Sequence, residues 1–61
     1  MIELLTTREV AVILRLSEMH VRKLINTKIL NGYKEGRKGG FRVPSSEVER
    51  YIKERTYGLE A

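Results

Sequence analysis

The sequence contains no cysteine, tryptophan or aspartate, and it has one proline and one histidine. Without thiols there is no disulfide and no thiolate metal ligand, and His20 alone cannot form a zinc site or a Ser/His/Asp arrangement. No apolar run approaches the roughly 20 residues that span a bilayer. The first residues also lack the basic and apolar regions of a signal peptide. We therefore expect a cytoplasmic protein without a metal, a cofactor or a membrane segment.

The chain has 61 residues, which is enough for one domain. A domain of this size buries roughly 60% of the surface that its unfolded chain exposes, so it depends on its own apolar core. The composition, 41% hydrophobic and 33% charged, is typical of a globular domain. No paired carboxylates or activated nucleophile can be assembled from these residue types, so we expect no catalytic residues and no enzyme activity.

Two short helices are predicted in the first half of the chain. The spacing of Thr6 and Glu9 is that of a capping box, which predicts a first helix from about Thr7 to Leu14. Ser17 is a suitable N-cap for a second helix from about Glu18 to Thr27. The apolar positions of the two helices recur every three or four residues: Val10, Ile13, Leu14, Val21, Leu24 and Ile25. Two such helices joined by three residues predict a helix-turn-helix.

The face of the second helix opposite its apolar stripe is rich in polar and flexible side chains. Arginine can read guanine with two hydrogen bonds, and asparagine can read adenine in the same way. An outward helix face can also be polar only because it is solvated. The residues on this face are Met19, Arg22, Lys23 and Asn26.

Residues 33–44 predict a two-stranded β-hairpin with a basic surface. Three glycines in the stretch 36–40 favour a turn, and aromatic and β-branched residues flank it. Such a hairpin can contact the phosphate backbone or minor groove as a wing, although a plain connector would also need these glycines. A glycine-rich nucleotide cradle is disfavoured, because no Gly-Lys-Ser/Thr follows. The basic residues of this segment are Lys34, Arg37, Lys38 and Arg42.

A third helix is predicted after Pro44, to about Arg55. Residues 46–49 repeat the capping-box spacing, and the helix has a Glu-rich outer face that suits core closure better than DNA contact. We expect a domain at 1–56 and a short tail at 57–61. Ile29 and Leu30 should close the core under the second helix, and the third helix should add Val48, Tyr51 and Ile52.

The order of these elements resembles the excisionase-type DNA-binding domains of the MerR-like winged helix-turn-helix superfamily. Five pieces carry the resemblance: Leu5–Ala11, Leu16-Ser17, Val21–Ile25, the basic hairpin that ends in Phe41–Pro44, and Ser46–Ile52. Arg15 and Lys28 stand where the family often has glycine, so each should adopt a left-handed conformation. The expected fold is mainly α with a small β-hairpin: three short helices and a two-stranded wing between the second and third.

The resemblance implies a sequence-specific protein that binds double-stranded DNA. Such domains place the second helix in the major groove and the wing on the minor groove, bend DNA and direct a phage-type integrase towards excision. Arg22, Lys23 and Arg42 would be contacts by the resemblance, while the other cations, Met19 and Asn26 are candidates from the helix face and hairpin alone. We expect cooperative self-association on DNA, and a location with the nucleoid.

Three other functions fit the same surfaces. A small MerR-like transcription regulator and the DNA-binding domain of a phage packaging subunit would share the fold and the basic faces. A protein-interaction module could instead use the hairpin to hold an acidic partner. Strong salt dependence of DNA binding would count against that module.

Overall fold

The computed structural model describes residues 3–36 and 40–60, with side chains through residue 55. Within these ranges the chain forms three helices and a three-stranded antiparallel sheet. This architecture confirms the mainly α fold with a hairpin between the second and third helices. The elements are β1 (Leu4–Thr6), α1 (Thr7–Leu14), α2 (Glu18–Asn26), β2 (Tyr33–Lys34), β3 (Phe41–Pro44) and α3 (Ser45–Glu60).

Helix α1 begins with the expected capping box. The Thr6 hydroxyl accepts a hydrogen bond from the Glu9 amide at 3.1 Å, and Glu9 Oε1 accepts one from the Thr6 amide at 2.9 Å. Helix α2 is capped more simply, because the Ser17 hydroxyl accepts from the His20 amide at 3.1 Å. Both helix starts are therefore fixed by short-range hydrogen bonds that the sequence pattern reveals.

Helices α1 and α2 end in the same way, at a residue other than glycine with positive φ. Arg15 has φ of 58° and Lys28 has φ of 67°, which confirms the left-handed conformation expected at both positions. The Leu16 amide donates to the Ala11 carbonyl at 2.9 Å, and the Ile29 amide donates to the Leu24 carbonyl at 3.0 Å. These bonds satisfy carbonyls at the helix ends and fix the direction in which the chain leaves each helix.

The sheet has the strand order β1-β3-β2, so the predicted hairpin gains a third strand from the N-terminal side. Leu5 pairs with Val43 and Tyr33 pairs with Arg42. Gly32 leads into β2 at a point of close contact, because a Cβ atom there would lie 2.9 Å from the Arg42 carbonyl oxygen. Glycine at this position lets the connection from α2 pass directly against β3.

The core lies between the three helices and the inner face of the sheet. Three expected core residues are wrong: Ile13, Ile29 and Ile52 are 48%, 50% and 42% exposed. Leu14 is only partly buried. Short helices give a narrow buried stripe, so the flanking positions of the apolar pattern stay at the surface. The buried apolar residues are Val10, Ala11, Val21, Leu24, Ile25, Leu30, Val43, Val48 and Tyr51.

Helix α3 differs from its prediction at both ends. It begins at Ser45, directly after β3, so Ser46 is the second helical residue and does not cap the helix. The Ser45 amide donates to the Glu3 carbonyl at 2.8 Å, which extends the pairing of β1 and β3 into the helix start. The helix continues to Glu60, beyond the expected end at Arg55. None of the described helices combines the length and apolarity needed to cross a membrane.

Candidate nucleic-acid interface

The candidate residues of α2 lie together on one exposed face. Their spacing of three, four and seven residues from Met19 is that of one side of an α-helix. Val21, Leu24 and Ile25 are buried on the other side. Met19 is 76% exposed, and the remaining three side chains are also exposed: Arg22, Lys23 and Asn26.

The polar head groups on this face are available for ligand contact. Arg22 Nη2 lies 3.8 Å from Glu18 Oε1, and both side chains are about half exposed. Such a surface ion pair contributes little to stability, so the guanidinium can exchange it for a phosphate or a base. Among the described residues, the Lys23 ammonium and the Asn26 amide have no side-chain partner. Together they form a surface with two cations and one amide.

The hairpin separates two of its candidate cations. Lys34 pairs with Phe41, and Arg42 pairs with Tyr33. Residues directly opposite each other share a sheet face and neighbours along a strand alternate, so Lys34 and Arg42 lie on opposite faces of the hairpin. One DNA backbone cannot contact both in the same way. Arg37 and Lys38, the candidates at the hairpin tip, lie outside the described residues.

Arg42 is held close to the start of α1. Its Nη1 donates to the Phe41 carbonyl at 3.2 Å, and the side chain is only partly exposed. The pKa of the Glu9 carboxyl is lowered mainly by hydrogen bonds from Thr6, with a smaller contribution from the positive charge of Arg42. The Arg42 charge therefore lies near Glu9 on the outer face of the sheet, on the strand next to β1.

A polar cluster that the sequence did not reveal links α3 to the segment between α2 and β2. Arg50 Nη2 donates to Glu47 Oε1 at 2.9 Å and to the Ile29 carbonyl at 3.2 Å. Arg50 Nη1 donates to Glu54 Oε1 at 2.7 Å. Glu47 Oε1 also accepts from Asn31 Nδ2 at 3.0 Å. The only sequence signal was the spacing of three and four residues between the α3 charges, which predicts contacts within the helix but not to Asn31.

The cluster joins α3 to the segment that leads from α2 to the hairpin. The pKa of the Glu47 carboxyl is lowered, mainly by its hydrogen bonds to Arg50 and then by those from Asn31. The Glu-rich face of α3 was expected only to point outward, but Glu47 is partly buried against the connection that leads from α2 to the hairpin. Within the described ranges, no cluster of three His or Glu residues could hold a metal ion.

Two capped helices joined by a short turn, with an exposed basic face on the second and a hairpin beside it, have the architecture of a helix-turn-helix domain. Residues 4–56 match the model of the helix-turn-helix domain family, so the chain belongs to this family. Neither a curated protein nor a solved structure matches the chain. The family is typically non-enzymatic and binds DNA in a sequence-specific manner.

Proposed function

We propose that the protein is an architectural factor of the excisionase type, which bends double-stranded DNA and directs a phage-type integrase towards excision. The observation that supports the proposal is that one small domain carries both the exposed basic face of α2 and a hairpin between α2 and α3. The Glu47–Arg50 cluster supports their relative position, because it ties α3 to the connection between them. A domain that contacts two grooves at a fixed spacing favours DNA that bends to meet both.

The two surfaces have different roles in this proposal. Arg22 and Asn26 read base edges in the major groove, while Lys23 contacts phosphate and Met19 contacts an apolar base edge. The hairpin cations, Arg37 and Lys38 at its tip with Lys34 and Arg42 on its strands, contact the backbone at the minor groove. Since Lys34 and Arg42 lie on opposite faces, each would approach a different strand or a neighbouring copy.

The function also requires more than one bound protein. A single module of this size buries about 600 to 1,000 Å² on DNA, which gives modest specificity in a genome. Several copies on closely spaced sites, or a larger DNA-bound partner, would add binding energy through effective concentration. In the proposal the protein acts with the nucleoid, bound next to the integrase.

The first test is binding to duplex DNA across a range of salt concentrations, with bending measured on the same duplexes by energy transfer between their ends. Four to six phosphate contacts predict a slope of log K against log salt of roughly −4 to −5. Lys53→Ala, which removes a cation outside both surfaces, should change neither the slope nor the bend. A slope near zero would exclude the proposed DNA-bending function. It would favour the alternative in which the protein is an interaction module that binds an acidic partner.

The second test separates excision from regulation and packaging. Reconstituted excision with a phage-type integrase should require the protein and should fail with Arg22→Ala. A protein that binds and bends DNA normally but leaves excision unchanged would be a transcription regulator or a packaging subunit.

Deletion of residues 57–61 should keep single-site affinity but abolish cooperative binding to adjacent sites. Cooperative binding by the truncated protein would place the contact between copies elsewhere.

A further inference from the structure

An apolar groove runs between the end of α1 and the middle of α3, outside the proposed DNA surfaces. Its volume is about 440 Å³. Ile13 and Ile52 line it and are 48% and 42% exposed, with Leu14, Leu16 and Tyr51 beside them. From α2 it includes only His20, which is not on the face that carries Arg22 and Asn26. The groove is therefore a second surface, separate from the proposed DNA contacts.

The apolar surface continues across α1. Ile13 also borders a neighbouring depression, which is lined by Leu5 and Val12 as well. Val12 is 73% exposed, the second highest exposure among the large apolar residues of the described chain. A contiguous patch of exposed apolar residues is a candidate interaction site. Contact with these apolar side chains would not stabilise the charged phosphates of a DNA backbone, so the expected ligand is not nucleic acid.

The borders of the surface are positively charged. Arg15 and Arg55 line the groove, and Arg8 lines the neighbouring depression. Among the described residues, none of the three guanidinium groups lies within ion-pair distance of a carboxylate. Arg55 lies over the Tyr51 ring, 4.8 Å from its centre. Of the described residues that line this surface, Glu9 alone carries a carboxylate, and that carboxylate already accepts a hydrogen bond from the Thr6 amide.

We propose that this groove binds a protein segment that carries apolar side chains flanked by carboxylates. The apolar side chains would cover Ile13 and Ile52, and the carboxylates would contact Arg15 and Arg55. Charge complementarity sets the class of the partner, because the border offers guanidinium groups that pair with no carboxylate in the described part of the chain. The partner could then bind while α2 is on DNA, which would recruit a larger protein to the DNA site.

The experiment uses a synthetic helical peptide with a stripe of leucines flanked by glutamates, and a matched peptide with lysines in place of the glutamates. Amide NMR spectra of the full chain should show shifts on adding the glutamate peptide, confined to the groove and to Val12. The lysine peptide should cause none. Arg15→Gly and Arg55→Gln should each weaken binding about two- to fivefold, as expected for exposed ion pairs. Lys53→Gln, on the same helix as Arg55 but not in the groove, is the control.

Three results would overturn the proposal. Equal binding of both peptides would show that charge does not select the partner. Shifts on the outer face of α2 would show that the acidic peptide only mimics DNA. Dimerisation through the groove, seen by sedimentation of the free protein, would show that a second copy occupies it. DNA affinity measured on Arg15→Gly and Arg55→Gln should remain that of the parent protein, so loss of peptide binding is distinguishable from failure of the DNA function.

Discussion

The two faces of α2 have opposite surroundings on one nine-residue helix. On the inner face, Val21 is fully buried and Leu24 and Ile25 are nearly so. On the outer face Arg22, the residue next to Val21, is about half exposed in an ion pair that contributes little to stability. The inner face therefore contributes to the stability of the fold, and the outer face is the surface that we propose for DNA contact. Substitutions on the two faces should separate stability from DNA affinity.

The largest effect is expected on the inner face. Leu24→Ala removes most of a side chain that is 4% exposed and leaves a cavity in the core. The free energy of unfolding should fall by about 2 to 5 kcal/mol, a large part of the stability of a domain of this size. Urea unfolding, monitored by circular dichroism, measures this free energy. An unchanged midpoint would mean that the register of α2 is wrong.

The outer face should respond in the reverse way. Arg22→Ala and Asn26→Ala should each reduce affinity for the preferred DNA site by about 1 to 3 kcal/mol if the side chain reads a base. Both should leave the unfolding midpoint almost unchanged, because exposed positions contribute little to stability. Lys23→Ala is the matched variant for a phosphate contact, and it should weaken all sequences alike. Equal losses on specific and unrelated DNA for Asn26→Ala would show that it does not read sequence.

The fold and the α2 face follow from the sequence because their causes are local. The starts of α1 and α2 are set by hydroxyl groups that accept hydrogen bonds from amides three residues later. The buried and exposed faces of these helices are set by apolar residues at helical spacing. The sequence could not reveal β1, because three residues are too few for an alternating pattern and their partner strand lies far along the chain.

The errors share a cause in tertiary packing. Ile13 and Ile52 have the spacing of core residues, but burial depends on how far the neighbouring helices extend over them. Asn31 and Glu47 are 16 residues apart, and no local pattern indicates their hydrogen bond. The candidate site could be predicted as a set of residue types, whereas the opposite orientation of Lys34 and Arg42 required the strand register.

A smaller effect is expected at the end of α2, where neither face is involved. Lys28 has φ of 67°, a conformation that costs a residue with a Cβ roughly 1 to 2 kcal/mol. Lys28→Gly removes that cost, but glycine also increases the conformational entropy of the unfolded state, which offsets part of the gain. We therefore expect a net stabilisation of the folded protein by about 0.5 to 1 kcal/mol. Lys28→Ala should give no such gain. If Lys28→Gly destabilises the protein, the side chain must contribute a contact that outweighs its backbone strain.

The smallest effect is expected in the pH dependence of stability. It arises from Glu47, which links α3 to the segment after α2. Hydrogen bonds from Arg50 and Asn31 lower the pKa of Glu47 below its ordinary value of 4.5. A carboxyl with a lowered pKa in the folded state stabilises the protein above its ordinary pKa, and this contribution is lost as the pH falls through the lowered value. Thermal unfolding should therefore show that the parent protein loses more stability than Glu47→Gln as the pH decreases from 6 to below 4.5. Glu49→Gln, on the exposed side of α3, should follow the parent curve. Parallel curves of stability against pH for the parent and Glu47→Gln would show that the cluster does not hold α3 to the end of α2. The spacing of α2 and the hairpin would then depend on the sheet alone.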